Sequence, residues 1–428
     1  MSAEERRELY RGKDVVVVER LAPGSADVAV TFTPFSDRSR RVGGYAETFL
    51  AGRGVSAVHV ISQRNHWWQT PEMEPALEAI RALKLRARHR HVTTYGSSMG
   101  GHGALLFARA VGADQALALS PQFAVNGRGA EWRRRWPTLP ELYRYEDTAS
   151  PNIRVAVAYD PYDGFDRRHA EAIRAVTPFE AVRVPFSLHP VGPALVEMDL
   201  LSGFAQAFLA GGGDMAALNA EIRSRRRSSF VCLSGLLHRL DRRSAKGTMR
   251  RQVQKRVSDM FEKRLKAGAP MELKLAFRSV VKPYFDRLEA RGDRKAALRM
   301  ARRLLQLNPS SYEAHALLAR QLGRAGEHGE ALSVLAAGYR FNRRVQTAVA
   351  VADAAFAAAQ PEEAHRFLKI AFGLPQTEAG PWVNLILAHG GAMDHRYAKR
   401  AFRLAAEIAP DHPRLEEARL RASRAEAA

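Results

Sequence analysis

The sequence predicts an α/β fold, a mostly parallel sheet with helices on both faces, followed by an all-α domain of repeated helices. Apolar runs of strand length, several of them rich in valine, alternate with helical stretches over the first 210 residues. Beyond residue 213 the strand signal stops, and an alanine recurs every 33 or 34 residues. The chain has 428 residues, more than one ordinary core supports, and its 46% hydrophobic content suffices to build more than one.

Strands are expected at 14–18, 27–33, 56–61, 91–95, 115–119, 154–159 and 181–187. Continuous apolar runs without polar alternation suit parallel strands covered on both faces. Helices are expected between them, as at 71–87 and 101–111, and a helix over 194–210 closes the unit. Gly211-Gly212-Gly213 then reads as a hinge. The expected organisation is an α/β domain over 1–212, a basic helical linker over 213–283, and helical repeats with a C-terminal cap over 284–428.

The formal net charge is +21, and it is unevenly spread. Residues 221–257 hold twelve Lys and Arg against Glu221 and Asp241. Such a block can draw nucleic acid or an anionic surface by long-range attraction. It carries neither aromatic interleaving nor a recognition motif, so a solvated helical linker is the preferred reading. The one cysteine, Cys232, rules out an internal disulfide framework and a cysteine-rich metal site, and suits a reducing compartment. The N-terminus is charged from its start, and no window approaches the apolar length of a membrane span. A cytoplasmic location is the expectation.

The chemistry-bearing motif is Gly96-Ser97-Ser98-Met99-Gly100-Gly101, between the Val/Thr strand at 91–95 and a small-residue helical stretch. A G-x-S-x-G in that setting suits a sharp turn that exposes a serine at a helix N-terminus. The positions two before and two after the serine come too close for side chains, hence Gly96 and Gly100. Placed there, Ser98 has backbone N–H groups and a positive dipole end beside it.

With that motif and the order of residues after it, the region 14–210 resembles the α/β-hydrolase superfamily. The resemblance implies a nucleophile, then an acid after a later strand, then a histidine after the last strand. The strand at 154–159 runs into Asp160-Pro-Tyr-Asp163-Gly-Phe-Asp166. Asp163 is the first candidate acid and Asp160 the second, while Asp166 could cap a helix beginning near Arg167. His189, after the strand at 181–187, falls where the superfamily carries its general base. A serine hydroxyl attacks only once a base takes its proton, and a carboxylate fixes the tautomer of that base. One oxyanion donor would be the Met99 N–H. The second should follow the strand at 27–33, and because Pro34 has no N–H it falls to Phe35 or Thr33. His66, Trp67 and Trp68 sit in a loop where they could line an acyl pocket or stack on a sugar. His102 is read as wall behind the site. Residues 120–145, with Trp132, Trp136 and Arg133 to Arg135, sit where superfamily members carry a cap. No metal or organic cofactor is implied.

The repeat is marked by Ala297, Ala331, Ala364 and Ala398, with Leu318, Val351 and Leu385 thirteen residues before the last three. Gly292 and Gly326 precede their alanines by five residues, and Pro309 and Pro410 follow theirs by twelve. Helices pack closely where small residues sit at the crossing, and breakers delimit each pair. Over about 284–413 this resembles the tetratricopeptide repeat, which implies a groove for a protein partner. The whole reads as a serine hydrolase for an ester or thioester, docked through its repeats. The alternative is a non-catalytic adaptor on a hydrolase scaffold.

Overall fold

The computed structural model describes residues 6–35, 43–126, 139–243, 247–274, 276–374, 376 and 378–424. The chain divides into two compact units, Met1–Val253 and Gln254–Ala428.

The first unit is built on one eight-stranded sheet. Its strands are β1 (Arg6–Arg11), β2 (Val15–Arg20), β3 (Asp27–Phe32), β4 (Ser56–Ser62), β5 (His91–Ser97), β6 (Gln115–Leu119), β7 (Arg154–Tyr159) and β8 (Glu180–Arg183). Their spatial order is β1-β2-β4-β3-β5-β6-β7-β8. The pairs β1/β2 and β2/β4 are antiparallel, and every later pair is parallel. The helices are α1 (Glu47–Gly52), α2 (Met73–Arg81), α3 (Leu85–Arg88), α4 (Met99–Leu106) and α5 (Tyr145–Thr148). After them come α6 (Gly164–Val176), α7 (Gly192–Glu197), α8 (Leu201–Leu209), α9 (Met215–Arg225) and α10 (Phe230–Arg242).

The central strands β6 and β7 are almost wholly apolar because both faces are covered. Ala116, Ala118, Val155 and Val157 pack with α2, α4 and α6 on one face. Leu117, Leu119, Ala156 and Ala158, one residue out of phase, pack with α7 to α10 on the other. Strand β1 has no counterpart among the expected strands. It is a charged edge, Arg-Arg-Glu-Leu-Tyr-Arg, mostly exposed and without an apolar run to betray it. Strand β8 ends at Arg183, short of the expected 187, because Pro185 cannot donate to a ladder. The expected closing helix is two, α7 and α8.

Residues 213–242 do not form a free linker. Asn219 of α9 bridges the edge of β8, accepting from the Arg183 N–H at 2.8 Å and donating to the Ala181 carbonyl at 2.8 Å. The Glu197 carboxylate accepts from Ser229 and from the Phe230 and Val231 N–H groups at the start of α10. An apolar face on each helix therefore joins the first unit's core, with Ile222, Val231 and Cys232 buried. The arginine count hid that face.

In the second unit α11 (Thr248–Ala267), which begins at the end of the first, leads to α12 (Lys282–Ala290), α13 (Arg294–Leu307), α14 (Tyr312–Arg324) and α15 (His328–Tyr339). Then follow α16 (Val345–Ala357), α17 (Pro361–Phe372), α18 (Gly380–His389), α19 (His395–Ile408) and α20 (Leu415–Arg424). The periodic alanines lie one each on α13, α15, α17 and α19, all buried. Leu318, Val351 and Leu385 face inward from α14, α16 and α18. Gly292 and Gly326 take φ +75° and +85° in the turns between paired helices. The unit is a helical repeat array. Among the described residues no helix is long and apolar enough to cross a membrane.

Candidate active site

The turn from β5 into α4 is as tight as its glycines demand. Ser98 sits at φ 54°, ψ −118°, a region that L residues avoid. A Cβ on Gly96 would lie 2.1 Å from the Gly100 carbonyl oxygen, and one on Gly100 would lie 2.2 Å from that of Phe32. Only hydrogen fits at either position. Met99 opens α4, so its N–H has no acceptor within the helix.

The loop after β8 carries His189 to this turn. Ser98 Oγ and His189 Nε2 are 2.9 Å apart. On the far side of the ring, Nδ1 lies 2.8 Å from Asp166 Oδ1. The Asp166 side chain is 1% exposed, against 28% for His189. A carboxylate can only accept from Nδ1, so the neutral ring carries its proton there and offers the Nε2 lone pair to the serine hydroxyl.

The aspartate in this chain differs from the expected one. Asp163 caps α6, accepting from the Phe165 and Asp166 N–H groups at 2.9 and 3.0 Å. The helix starts at Gly164 rather than near Arg167, which leaves Asp166 in its first turn, where the side chain meets His189. Asp160, fully buried, spends its carboxylate on the Tyr162 and Leu188 N–H groups. The spacing Asp163-x-x-Asp166 is that of a helix cap with an acid at its third position, a signal in the sequence that favours Asp163 as the cap.

The aromatic loop also differs from expectation. Trp68 is fully buried and Trp67 is 3% exposed, so neither lines an open pocket. Trp68 Nε1–H donates to the Met99 carbonyl at 2.7 Å, and its ring meets Phe32 edge-on at 5.2 Å. His66 is buried and accepts from the Trp68 N–H through Nδ1. Trp68 thus braces the elbow through Met99, and His66 holds the Trp68 backbone. His102, one turn along α4, donates from Nδ1 to the Gln122 carbonyl at 2.9 Å, and burial pushes its pKa down to about 4. His169 on α6 accepts from the Phe123 N–H, and its pKa is pushed down to about 3, first by burial and then by nearby positive groups.

Of the two candidates for the second oxyanion donor, Thr33 donates its N–H to the Val60 carbonyl at 3.2 Å. Phe35, two residues on, is 40% exposed beside Trp67. Trp132, Trp136 and Arg133 to Arg135 lie outside the described residues. What is assembled is a hydroxyl, an imidazole and a carboxylate in line at a helix N-terminus. Such a row can remove a proton from the hydroxyl while it attacks an electrophile.

The chain matches no protein-family model and no curated protein. Among solved structures, the capsule O-acetyltransferase of Neisseria meningitidis serogroup A is 11% identical. That match covers 42% of this chain and 85% of that one, with a TM-score of 0.34. The MamA protein is 19% identical over 33% of this chain and 81% of its own, with a TM-score of 0.27. YrrB, described as a TPR protein with an unusual peptide-binding site, is 16% identical over 34% of this chain and 74% of its own, with a TM-score of 0.27.

Proposed function

We propose that the first unit is a serine hydrolase of α/β-hydrolase type, cleaving a carboxylic ester or thioester through an acyl-enzyme. The observation that carries this reading is the row Ser98 Oγ, His189, Asp166, with separations of 2.9 and 2.8 Å. It joins residues 91 and 23 positions apart in the chain.

As Ser98 Oγ attacks the acyl carbon, His189 Nε2 takes the hydroxyl proton, and the carbonyl electron pair moves onto oxygen. Met99 N–H and Phe35 N–H are the candidate donors to that oxyanion. Collapse expels the alcohol or thiol, which receives the proton from His189 and leaves the acyl group on Ser98. Water then repeats the sequence, giving its proton to His189, and the carboxylic acid departs. Asp166 holds the imidazole tautomer and stabilises the imidazolium in both halves.

The helical array, read as tetratricopeptide-like, docks a protein partner and brings the hydrolase to its substrate. A fluorophosphonate probe tests the chemistry. Wild-type protein should take one label and Ser98→Ala none. Equal labelling of the two removes Ser98 from the mechanism and leaves an adaptor on a hydrolase scaffold.

A further inference from the structure

We infer that Ser120 and Asp160 are positioning residues that hold the His189 loop in register with Ser98, an inference that rests on the acyl-enzyme reading above. Neither touches the reacting atoms. Both stand one residue past a strand end, Ser120 after β6 and Asp160 after β7. Both are buried, at 1% and 0% exposure.

Phe186 and Leu188 take φ 67° and 56°, left-handed values that L residues hold only when their surroundings impose them. The acceptors that impose them lie on either side of His189. Upstream, one oxygen of the Asp160 carboxylate accepts the Leu188 N–H at 2.9 Å, while its other oxygen takes the Tyr162 N–H at 2.8 Å. Downstream, Ser120 Oγ accepts the Val191 N–H at 3.1 Å. The imidazole is thus held between two buried tethers.

The second tether also locates the nucleophile. Leu119 accepts the Ser98 N–H on its carbonyl at 2.8 Å, and the next residue is Ser120, whose own N–H donates to the Ala158 carbonyl at 2.7 Å. Two consecutive residues at the end of β6 therefore carry the serine and the base. Ser120 itself sits at φ 44°. That local strain turns its hydroxyl from the sheet toward Val191 while its N–H continues the ladder to β7. An asparagine at 160 offers one acceptor oxygen where the carboxylate offers two, and would turn an N–H₂ toward a backbone N–H. An alanine at 120 leaves the Val191 N–H buried without its acceptor.

The test is a double-mutant cycle on the rate at which a fluorophosphonate labels Ser98. Asp160→Asn and Ser120→Ala are each measured alone and combined with His189→Ala. If they act through the imidazole, each slows labelling about tenfold or more with His189 present, because small misplacements of a reacting group cost that much. In the His189→Ala background each then changes the residual rate less than about twofold. Equal slowing in both backgrounds would mean that the elbow itself is disturbed, and it overturns the inference, as does no slowing in either. Should Asp160→Asn fail to fold, Ser120→Ala, which removes a single hydroxyl, decides the matter alone. A wild type that takes no label at Ser98 fails the hydrolase reading itself, and the tethers fall with it.

Discussion

The two units hold their shapes by different means. Among the described residues of the first unit, nine non-glycine residues take left-handed backbone angles, among them Trp67, Trp68, Ser98, Ser120, Phe186 and Leu188. In the second unit only Ala359 does so among the described residues. The array is made mostly of regular helices whose small residues meet near neighbours in sequence, so little forces its non-glycine backbone out of ordinary wells. The sheet unit concentrates strain at the loops that follow its strands, where Ser98 and His189 sit. Strain that recurs at one end of a sheet marks the place where geometry is constrained by more than folding.

The largest effect that would sharpen this contrast belongs to Asp166. Asp166→Asn should slow fluorophosphonate labelling of Ser98 by about 10³-fold or more, because it removes the group that orients the imidazole. Labelling within about threefold of wild type would return the acid to another residue. Next comes the array. Trp382, fully buried and stacked on Phe372 at 5.0 Å, should cost about 3–5 kcal/mol when replaced by alanine. Far-UV circular dichroism on urea titration reads that loss, and Ser98 labelling should stay within about twofold of wild type.

A smaller effect separates the units by pH. The pKa values of His102 and His169 are lowered from 6.5 to about 4 and about 3. The unfolded chain therefore binds more protons than the folded one below pH 6.5. Stability is full above that pH and falls as pH drops toward the folded values, by about 2 kcal/mol for each histidine between pH 7 and 5. Four of the five tryptophans lie in the first unit, so the urea midpoint followed by their fluorescence should drop at pH 5. His102→Gln should reduce that drop. The smallest effect is Asp163→Ala, which removes a helix cap at about 1 kcal/mol and should leave labelling near wild type.

The sequence made most of the scaffold readable, because valine runs and an alanine period are strong local signals. Strands β6 and β7 fall on 115–119 and 154–159 as expected. The edge strand β1 escaped because an exposed edge needs no apolar face. Residues 213–242 were read as helical, but the packing of α9 and α10 on the sheet escaped because their arginines mask the few apolar residues that bury. At the site, Ser98 and His189 were marked by local context, a glycine elbow and a loop after an apolar strand. The acid was harder to read, since three aspartates share seven residues. Which of them faces the imidazole is fixed by where α6 begins, a difference of three residues. The tryptophans misled for a related reason: adjacent aromatics in a loop look exposed until the elbow above them is built.

The most direct measurement is rapid mixing of the protein with a nitrophenyl acyl ester, followed by mass analysis of its peptides. An initial burst of nitrophenol equal to the protein concentration, with the acyl group recovered on the peptide holding Ser98, is the expected result. Steady release with no burst and no adduct, or an adduct on a different side chain, would contradict it.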